Sequence, residues 1–321
     1  MDLAEGVLGG DRLSVARALS LVEGQKPSER VAARKLLAAL HSHTGRAHLI
    51  GVTGPSGTGK STLVNQLARA YRERDARVGI IAVDPTSPFS GGALLGDRVR
   101  MRDVAGDPGV FVRSMATRGA LGGLATAASD AVQVLDAAGY SIVFVETVGA
   151  GQDEIEIART AHTTVVVGAP GLGDDIQAMK AGLMEVADIF VVNKADRDGA
   201  DQTVRSLEVM LEIGRTWNLS DGKPGERTWQ VPVCEAVALD GTGVSDLVSW
   251  IESHRSYLRQ SGQLAKKEWQ RARTELEALL QRELLSRFLS RLEPDRLEDI
   301  VSRIASRKLA PYEALEELEI G

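Results

Sequence analysis

The sequence predicts an α/β fold in which a mostly parallel sheet, with helices on both faces, carries a phosphate-binding loop. Short β-branched runs recur between residues 47 and 255, each followed by an amphipathic stretch, and they read AHLIGVT, VGIIAV, GVFVRS, SIVFVET, TTVVVGA, DIFVVN and QVPV. Apolar strands that alternate with helices are typical of a parallel sheet that is buried on both faces. The first run leads directly into the glycine-rich string GPSGTGKS.

The chain divides into three predicted parts. Residues 1–45 show helical spacing of apolar residues, with Asp11 as a candidate N-cap and Ser28 near the start of a further helix. Residues 46–256 form the sheet-bearing domain. Residues 257–321 are predicted to be helical, and they carry an apolar stripe that must be buried against another surface, in the same chain or in a second copy. The stripe comprises Trp269, Ala272, Leu276, Leu279, Leu280, Leu284, Phe288 and Leu292.

Composition narrows the class of protein. The 321 residues carry a net charge of -6, which argues against a nucleic-acid partner because phosphate neutralisation needs clustered basic residues. The single cysteine, Cys234, excludes a disulfide framework and is expected to be an inert, packed thiol. The first residues lack a signal-peptide pattern, and no apolar run approaches the roughly 20 residues that span a bilayer. We therefore expect no membrane partner and a cytoplasmic location.

The string GPSGTGKS matches the phosphate-loop pattern G-x-x-x-x-G-K-[ST] between a predicted strand and a predicted helix. Glycines allow successive backbone N–H groups to point at phosphate oxygens, and the helix N-terminus adds a positive dipole end. Lys60 is expected to reach the β- and γ-phosphates, and Ser61 to ligate Mg²⁺. The predicted nucleotide-binding residues here are Gly54, Pro55, Ser56, Gly57, Thr58, Gly59, Lys60, Ser61 and Thr62.

The string NKAD follows another apolar run, at the end of a strand where open α/β sheets bind ligands. The carboxylate of Asp196 can accept both the N1–H and the N2 amine of guanine, whereas adenine would leave the charge unpaired. Lys194 is expected to lay its stem over the base, and Asn193 to connect this loop to the phosphate loop. Together with the phosphate loop, NKAD predicts GTP and GDP, rather than ATP, as ligands.

Three carboxylates lie at or near predicted strand ends and could complete a magnesium shell with Ser61. They are Asp84, Asp97 and Glu146. Mg²⁺ takes oxygen ligands and keeps several waters, so that few protein groups are needed. Asp97 could equally be a helix cap or lie in a solvated turn.

The string ETVG stands where a Ras-like protein has D-x-x-G, so Gly149 is predicted to offer its N–H to the γ-phosphate. Lys60, Glu146 and Gly149 are therefore the candidate catalytic residues. Ras-like proteins have a glutamine directly after that glycine, whereas here Gln152 comes only after two further residues. We expect hydrolysis to be slow until a partner positions the water or supplies positive charge.

Six strings together resemble the MeaB/ArgK proteins, relatives of the human methylmalonic aciduria type A protein. They read GPSGTGKST, VDPTSPFSGGALLGDRVRM, FVRSMATRGALGGLA, VETVGAGQDE, GAPGLGDDIQAMKAG and NKAD. The resemblance covers roughly residues 45 to 255. It implies a SIMIBI-class GTPase, usually a homodimer, that gates cofactor loading into an adenosylcobalamin-dependent acyl-CoA mutase such as methylmalonyl-CoA mutase, and protects or rescues that mutase.

The resemblance also implies roles for particular residues. Ser61, Asp84, Asp97 and Glu146 would form the magnesium neighbourhood. The segment from Pro170 to Gly182 would be an additional switch that reports the nucleotide state to the mutase, with Asp174, Gln177 and Lys180 at its polar positions. The residues Val237, Ala238 and Leu239 stand where Ser-Ala-x is typical, and their backbone contacts to guanine are expected to survive the change. The C-terminal stripe fits a dimerisation arm.

Other functional classes remain open at this point. A metal-insertion GTPase for hydrogenase or urease maturation would need metal ligands, and five scattered histidines with one cysteine provide no cluster. A kinase of amino-acid transport proteins, following the old ArgK label, would transfer phosphate to a protein, but no kinase signature set occurs. A small-molecule kinase would prefer ATP, so comparing GTP and ATP affinity would identify it.

Overall fold

The computed structural model describes most of the chain, in eight stretches. A few side chains within them, including that of Asp84, are outside the description. The stretches are residues 2–24, 26–85, 104, 106–117, 123–147, 160–171, 183–218 and 229–318.

Seven strands form one sheet in this part of the chain. Their bounds are β1 His48–Thr53, β2 Val78–Pro85, β3 Val110–Thr117, β4 Ile142–Thr147, β5 Thr163–Gly168, β6 Ile189–Asn193 and β7 Val233–Ala236. The order across the sheet is β3-β2-β4-β1-β5-β6-β7, and every pairing is parallel. The predicted α/β fold with a parallel sheet is therefore confirmed.

The last strand lies further along the chain than the run QVPV predicts. It begins at Val233 because Pro232 has no N–H to donate to a ladder, although its carbonyl accepts a 2.9 Å bond from the N–H of Phe190. Cys234 lies buried in this strand, and burial raises the pKa of its thiol to about 12. The thiol is therefore protonated at neutral pH.

Helices surround the sheet. Their bounds are α1 Leu3–Leu8, α2 Arg12–Val22, α3 Pro27–Leu40, α4 Lys60–Arg72, α5 Gly123–Ala137, α6 Leu183–Val186, α7 Ala200–Asn218, α8 Val244–Gln260, α9 Gln263–Leu289, α10 Pro294–Ala305 and α11 Pro311–Glu317, with a short 3-10 turn at His41–His43. Among the described residues, no helix is both long and apolar enough to cross a membrane.

The two faces of the sheet carry different helices because side chains alternate along each strand. On one face, Ile50 and Phe144 pack with α4 and α8. On the other face, Leu49 and Val143 pack with α1, α2, α3 and α5. Phe190 packs with α7 on that same second face. The sheet is thus covered on both sides, as the near-continuous apolar strands predict.

The N-terminal helices share the core of the sheet. Val15 and Leu19 of α2 are fully buried against it. Asp11 caps α2 by accepting a 2.8 Å bond from the N–H of Ser14, as predicted. The next helix starts at Pro27, one residue before Ser28, because the fixed φ of proline suits the first helical position.

The chain divides into two compact units, residues 1–271 and 272–321. The long helix α9 begins in the first unit and ends in the second. In the second unit, α10 and α11 are joined by Arg303, which donates to both carboxylate oxygens of Glu317 at 2.8 and 2.7 Å. Ile300 and Ala314 are buried there.

A chain of polar side chains lies at the amino ends of β1 and β5, on the edge of the sheet opposite the phosphate loop. His48 Nε2 and His254 Nδ1 each lie 2.9 Å from the hydroxyl of Thr163. His254 Nε2 lies 3.3 Å from one carboxylate oxygen of Asp188, and the other oxygen accepts a 3.1 Å bond from Lys267 of α9. A neutral His254 that accepts from Thr163 through Nδ1 carries its proton on Nε2, which faces Asp188, and Thr163 in turn accepts from His48.

Candidate nucleotide-binding site

The candidate site lies at the carboxyl ends of the central strands. The strand β1 ends at Thr53 between β4 and β5, and the phosphate loop follows at once. Open α/β sheets bind ligands at this edge because several loops converge there.

The phosphate loop curls tightly before α4. Gly54 has a φ of 135° in this curl, and a Cβ added to it would lie 2.1 Å from the carbonyl oxygen of Val167, so that only glycine fits. The ammonium group of Lys60 is buried and donates to the carbonyls of Gly54 at 2.7 Å and Pro55 at 2.9 Å. A positive charge fixed inside a curl of backbone at a helix N-terminus attracts phosphate.

Ser61, the second residue of α4, contacts a carboxylate at the end of β4. Its hydroxyl donates a 2.6 Å bond to Glu146, and both residues are buried. The register places Glu146 beside Val52 of β1 and Ala82 of β2. A hydroxyl and a carboxylate in contact provide the hard oxygen ligands that Mg²⁺ prefers.

The other predicted metal ligands are less fully described. Asp84 lies near the end of β2, paired with Ala116 of β3, but its side chain is not described. Asp97 and Gly149 lie outside the described residues. Among the described residues, no group of three or more histidine, cysteine or acidic side chains is placed to hold a metal ion.

Asn193, the last residue of β6, joins the base loop to the phosphate loop. Its amide nitrogen donates to the carbonyl of Thr58 at 2.7 Å, and its amide oxygen accepts from the N–H of Ala238 at 3.0 Å. Gly59 makes this reach possible, because a Cβ on it would lie 2.4 Å from the Asn193 nitrogen. Three segments that are distant in sequence therefore meet at one buried side chain.

The remaining residues of NKAD are more exposed than Asn193. Lys194 has a φ of 59° and donates from its ammonium to the carbonyl of Gly57 at 2.6 Å, which lays its stem across the opening of the site. Asp196 is exposed, and its carboxylate can accept from a ligand. The N–H of Ala195 donates to the carbonyl of Ala236 at 3.1 Å, which joins this loop to the end of β7.

The segment after β7 completes the surroundings of the base loop. Val237 donates through its N–H to Thr242 at 3.0 Å, and Leu239 is 82% exposed. The carbonyl of Ala238 accepts a 3.1 Å bond from the side-chain amide of Gln66, one and a half turns into α4. The sequence prediction missed Gln66, because nothing in its spacing indicates which residue of α4 faces this segment.

The structure thus brings together the predicted phosphate loop, Ser61 with Glu146, and Asn193 and Lys194 with Ala238. It provides no description of the predicted switch positions Asp174, Gln177 and Lys180, which lie outside the described residues.

A parallel sheet with a phosphate loop after its central strand and an NKAD loop at the same edge defines the class of P-loop nucleotide-binding proteins. The chain belongs to a family of P-loop GTPases within this class, since the sequence profile described as "Methylmalonyl Co-A mutase-associated GTPase MeaB" matches residues 15–293. The resemblance that the sequence motifs predict is therefore confirmed.

Individual relatives agree with this assignment. A protein of Pyrococcus horikoshii named as a GTPase is 47% identical over 314 residues, 98% of this chain and 95% of the relative. The GTPase ArgK of Escherichia coli is 37% identical over 84% of this chain and 82% of its own length. The mitochondrial methylmalonic aciduria type A homolog of Mus musculus is 30% identical over 89% of this chain and 70% of its own length.

A solved structure also resembles this chain over almost its full length. It is described as a LAO/AO transport system kinase, is 26% identical, and superposes with a TM-score of 0.71 over 99% of this chain and 95% of its own. The chain therefore resembles a solved protein in its fold as well as in its sequence.

Proposed function

We propose that the chain binds GTP and GDP together with Mg²⁺ at this site, hydrolyses GTP slowly by itself, and acts as a cytoplasmic chaperone of an adenosylcobalamin-dependent acyl-CoA mutase. The observation that carries the nucleotide part is the bridge made by Asn193 between Thr58 and Ala238. This bridge fixes the distance between a loop suited to phosphate and a loop suited to guanine.

Each group has a proposed role at this site. The N–H groups of the loop from Gly54 to Thr62 and the ammonium of Lys60 bind the phosphates, so that Lys60 must exchange its carbonyl partners for phosphate oxygens. Ser61 ligates Mg²⁺, with Glu146 acting directly or through a water. Asp84 and Asp97 complete the shell, and Gly149 donates to the γ-phosphate. When bound, the metal would neutralise charge that develops on the transferring phosphoryl group.

Base selection is proposed to reside in Asp196, with Lys194 over the base and backbone groups of Val237, Ala238 and Leu239 behind it. The test is calorimetric binding of GDP, ADP and XDP to wild type and to Asp196→Asn. We expect wild type to prefer GDP to ADP, and the variant to prefer XDP, because an asparagine amide can donate to the 2-oxo group of xanthine. Asp198→Asn, an exposed neighbour, is the control and should keep GDP preference. Equal affinity of wild type for GDP and ADP would refute guanine selection.

The mutase part of the proposal rests on family membership. The family's description names methylmalonyl-CoA mutase, and the mouse relative's name refers to methylmalonic aciduria. Asp174, Gln177 and Lys180 are proposed to report the state of the nucleotide to the mutase. Loading of adenosylcobalamin into apo-mutase, followed by absorbance, should differ between GTP and GDP with wild type and not with Lys60→Ala. The same rate of loading in all these mixtures would contradict the chaperone role.

We also propose a homodimer formed through α9. The described residues of α9 include no buried one, and Trp269, Leu276, Leu280 and Leu284 are 62%, 57%, 50% and 66% exposed. Exposed apolar residues repeated at helical spacing are typical of a surface that another helix covers. A second copy presents the same stripe and so provides a complementary surface.

Phosphate transfer to a protein is the second candidate function, because a solved structure that resembles this chain over 99% of its length is described as a kinase. Incubation with GTP labelled at the γ-phosphate distinguishes the two candidates. Label released as inorganic phosphate supports the hydrolase, whereas label retained on a protein acceptor supports the kinase.

A further inference from the structure

We infer that Gln66 is a positioning residue for guanine selection, acting through the peptide that joins Ala238 to Leu239. The inference rests on the proposed guanine-nucleotide function and names a residue outside the phosphate loop and NKAD. Gln66 lies on α4, half-buried, and is 172 positions from Ala238 along the chain.

The geometry begins with a residue, Ala238, whose backbone is anchored on both sides of its Cα. The N–H of Ala238 donates to Asn193, and the carbonyl of Ala238 accepts from the Gln66 amide at 3.1 Å. Ala238 itself is buried. The same segment passes Gln66 again at Gly241, where an added Cβ would lie 3.9 Å from the side-chain oxygen of Gln66. The segment therefore passes close to the Gln66 side chain at two positions, Ala238 and Gly241.

Because the peptide bond is planar, the direction of the Ala238 carbonyl also determines the direction of the Leu239 N–H. The carbonyl of Ala238 and the N–H of Leu239 belong to one trans peptide, so they point in opposite directions. When Gln66 fixes the carbonyl toward α4, the Leu239 N–H must point away from α4. Among the residues that the structure describes, this N–H has no hydrogen-bond partner, and Leu239 is 82% exposed. It is a donor available to a ligand.

This donor suits the 6-oxo group of guanine. Asp196 can accept from the N1–H and the N2 amine, which leaves the 6-oxo group as the acceptor on that edge of the base. Adenine has an amine at this position, which would meet the Leu239 N–H donor to donor. Gln66 would thus add to guanine selection without touching the base.

The affinities for GDP, IDP and 6-thio-GDP distinguish an effect of Gln66 at the 6-oxo group from an effect at the N2 amine. IDP lacks the N2 amine and reports on Asp196, whereas 6-thio-GDP keeps N1–H and N2 but replaces the 6-oxo group with a poorer acceptor. Wild type should bind 6-thio-GDP about fivefold more weakly than GDP, the factor expected for one neutral hydrogen bond. In Gln66→Met, which keeps the size and loses the donor, GDP affinity should fall about fivefold and the ratio of 6-thio-GDP to GDP affinity should approach one.

Controls complete the experiment. The ratio of IDP to GDP affinity should be unchanged in Gln66→Met, and Gln66→Lys, which can still donate, should recover the discrimination against 6-thio-GDP. Gln260→Met, on an exposed position of α8, should bind all three ligands like wild type. A Gln66→Met protein that weakens all three ligands equally, or none, would overturn the inference. Wild type that fails to prefer GDP to ADP would instead refute the proposed function itself.

Discussion

The hydroxyl of Ser61 donates a 2.6 Å hydrogen bond to the carboxylate of Glu146, and this contact joins the first turn of α4 to the end of β4. A serine that follows the phosphate-loop lysine thus lies against a buried acidic group. Both oxygens are of the type that Mg²⁺ binds, and the two residues come from adjacent elements at the ligand-binding edge of the sheet.

The first prediction concerns this pair. Ser61→Ala should abolish the gain in GTP affinity that Mg²⁺ provides, and should lower the hydrolysis rate about 10²-fold or more, because charge on the transferring phosphoryl group is then less stabilised. Calorimetry with Mg²⁺ and with EDTA measures the first effect. Ser249→Ala, an exposed serine on α8, is the control. A Ser61→Ala protein with a wild-type response to Mg²⁺ would argue against the metal site.

The second prediction concerns Gly59. A Cβ there would meet the Asn193 amide, and φ is 92°, so Gly59→Ala combines backbone strain with loss of the bond from Asn193 to Thr58. Gly45→Ala is matched in backbone, with φ of 87° and nothing within 4 Å. We expect the control to lose about 1 kcal/mol of unfolding free energy and Gly59→Ala to lose about 1–2 kcal/mol more. Urea unfolding without nucleotide measures both, and equal losses would contradict the role of Asn193.

The third prediction is a loss of stability in acid that originates in the buried histidines. Burial lowers the pKa of His254 to about 4 and that of His48 well below its ordinary value. The charge of Asp188 opposes the shift at His254, and Lys267 adds to it. The unfolded chain therefore takes up protons from pH 6.5 downward that the folded chain does not, so the free energy of unfolding falls as pH falls. For His254 alone the fall between pH 7 and pH 4 is on the order of 3 kcal/mol.

Urea unfolding at several pH values tests whether the free energy of unfolding falls as pH falls, and whether His254 causes the fall. His254→Gln should flatten the dependence of unfolding free energy on pH, because one of the depressed groups is removed. His41→Gln, which changes an exposed histidine, should leave the dependence as in wild type. Parallel curves for wild type and His254→Gln would show that His254 is not the source.

The fourth prediction concerns the exposed stripe on α9. The double variant Leu280→Glu, Leu284→Glu should be a monomer in sedimentation equilibrium, whereas wild type should be a dimer, since charges within an apolar interface are not solvated. Gln281→Glu places a charge on a neighbouring exposed position and should leave the dimer intact. Wild type that sediments as a monomer would exclude the proposed interface.

Much of the fold could be predicted from sequence because its strongest signals are local. The residues of β1, β4 and β5 are all buried, which a continuous apolar run indicates directly. The cap at Asp11 depends on a neighbour three residues away. The sequence places the start of β7 too early, because the apolar run QVPV includes Pro232. Proline has no N–H to donate to a strand ladder, and the strand begins at the next residue, Val233.

The candidate site also has parts that the sequence identifies and parts that it does not. The phosphate loop and NKAD are short strings whose chemistry is contained in consecutive residues, so sequence identifies them. The contact of Gln66 with Ala238, and the convergence of His48, Thr163 and His254, join residues that are far apart in the chain. Their meeting depends on strand order and helix rotation, which residue spacing does not encode.

GTP turnover by this chain is proposed to be coupled to an acyl-CoA mutase. The most direct measurement is the rate of phosphate release from GTP and from ATP by the purified protein, with and without candidate adenosylcobalamin-dependent mutases, with Lys60→Ala as the inactive control. We expect slow, GTP-selective turnover that one mutase accelerates. Equal use of ATP, or a GTP rate that no mutase changes, would contradict it.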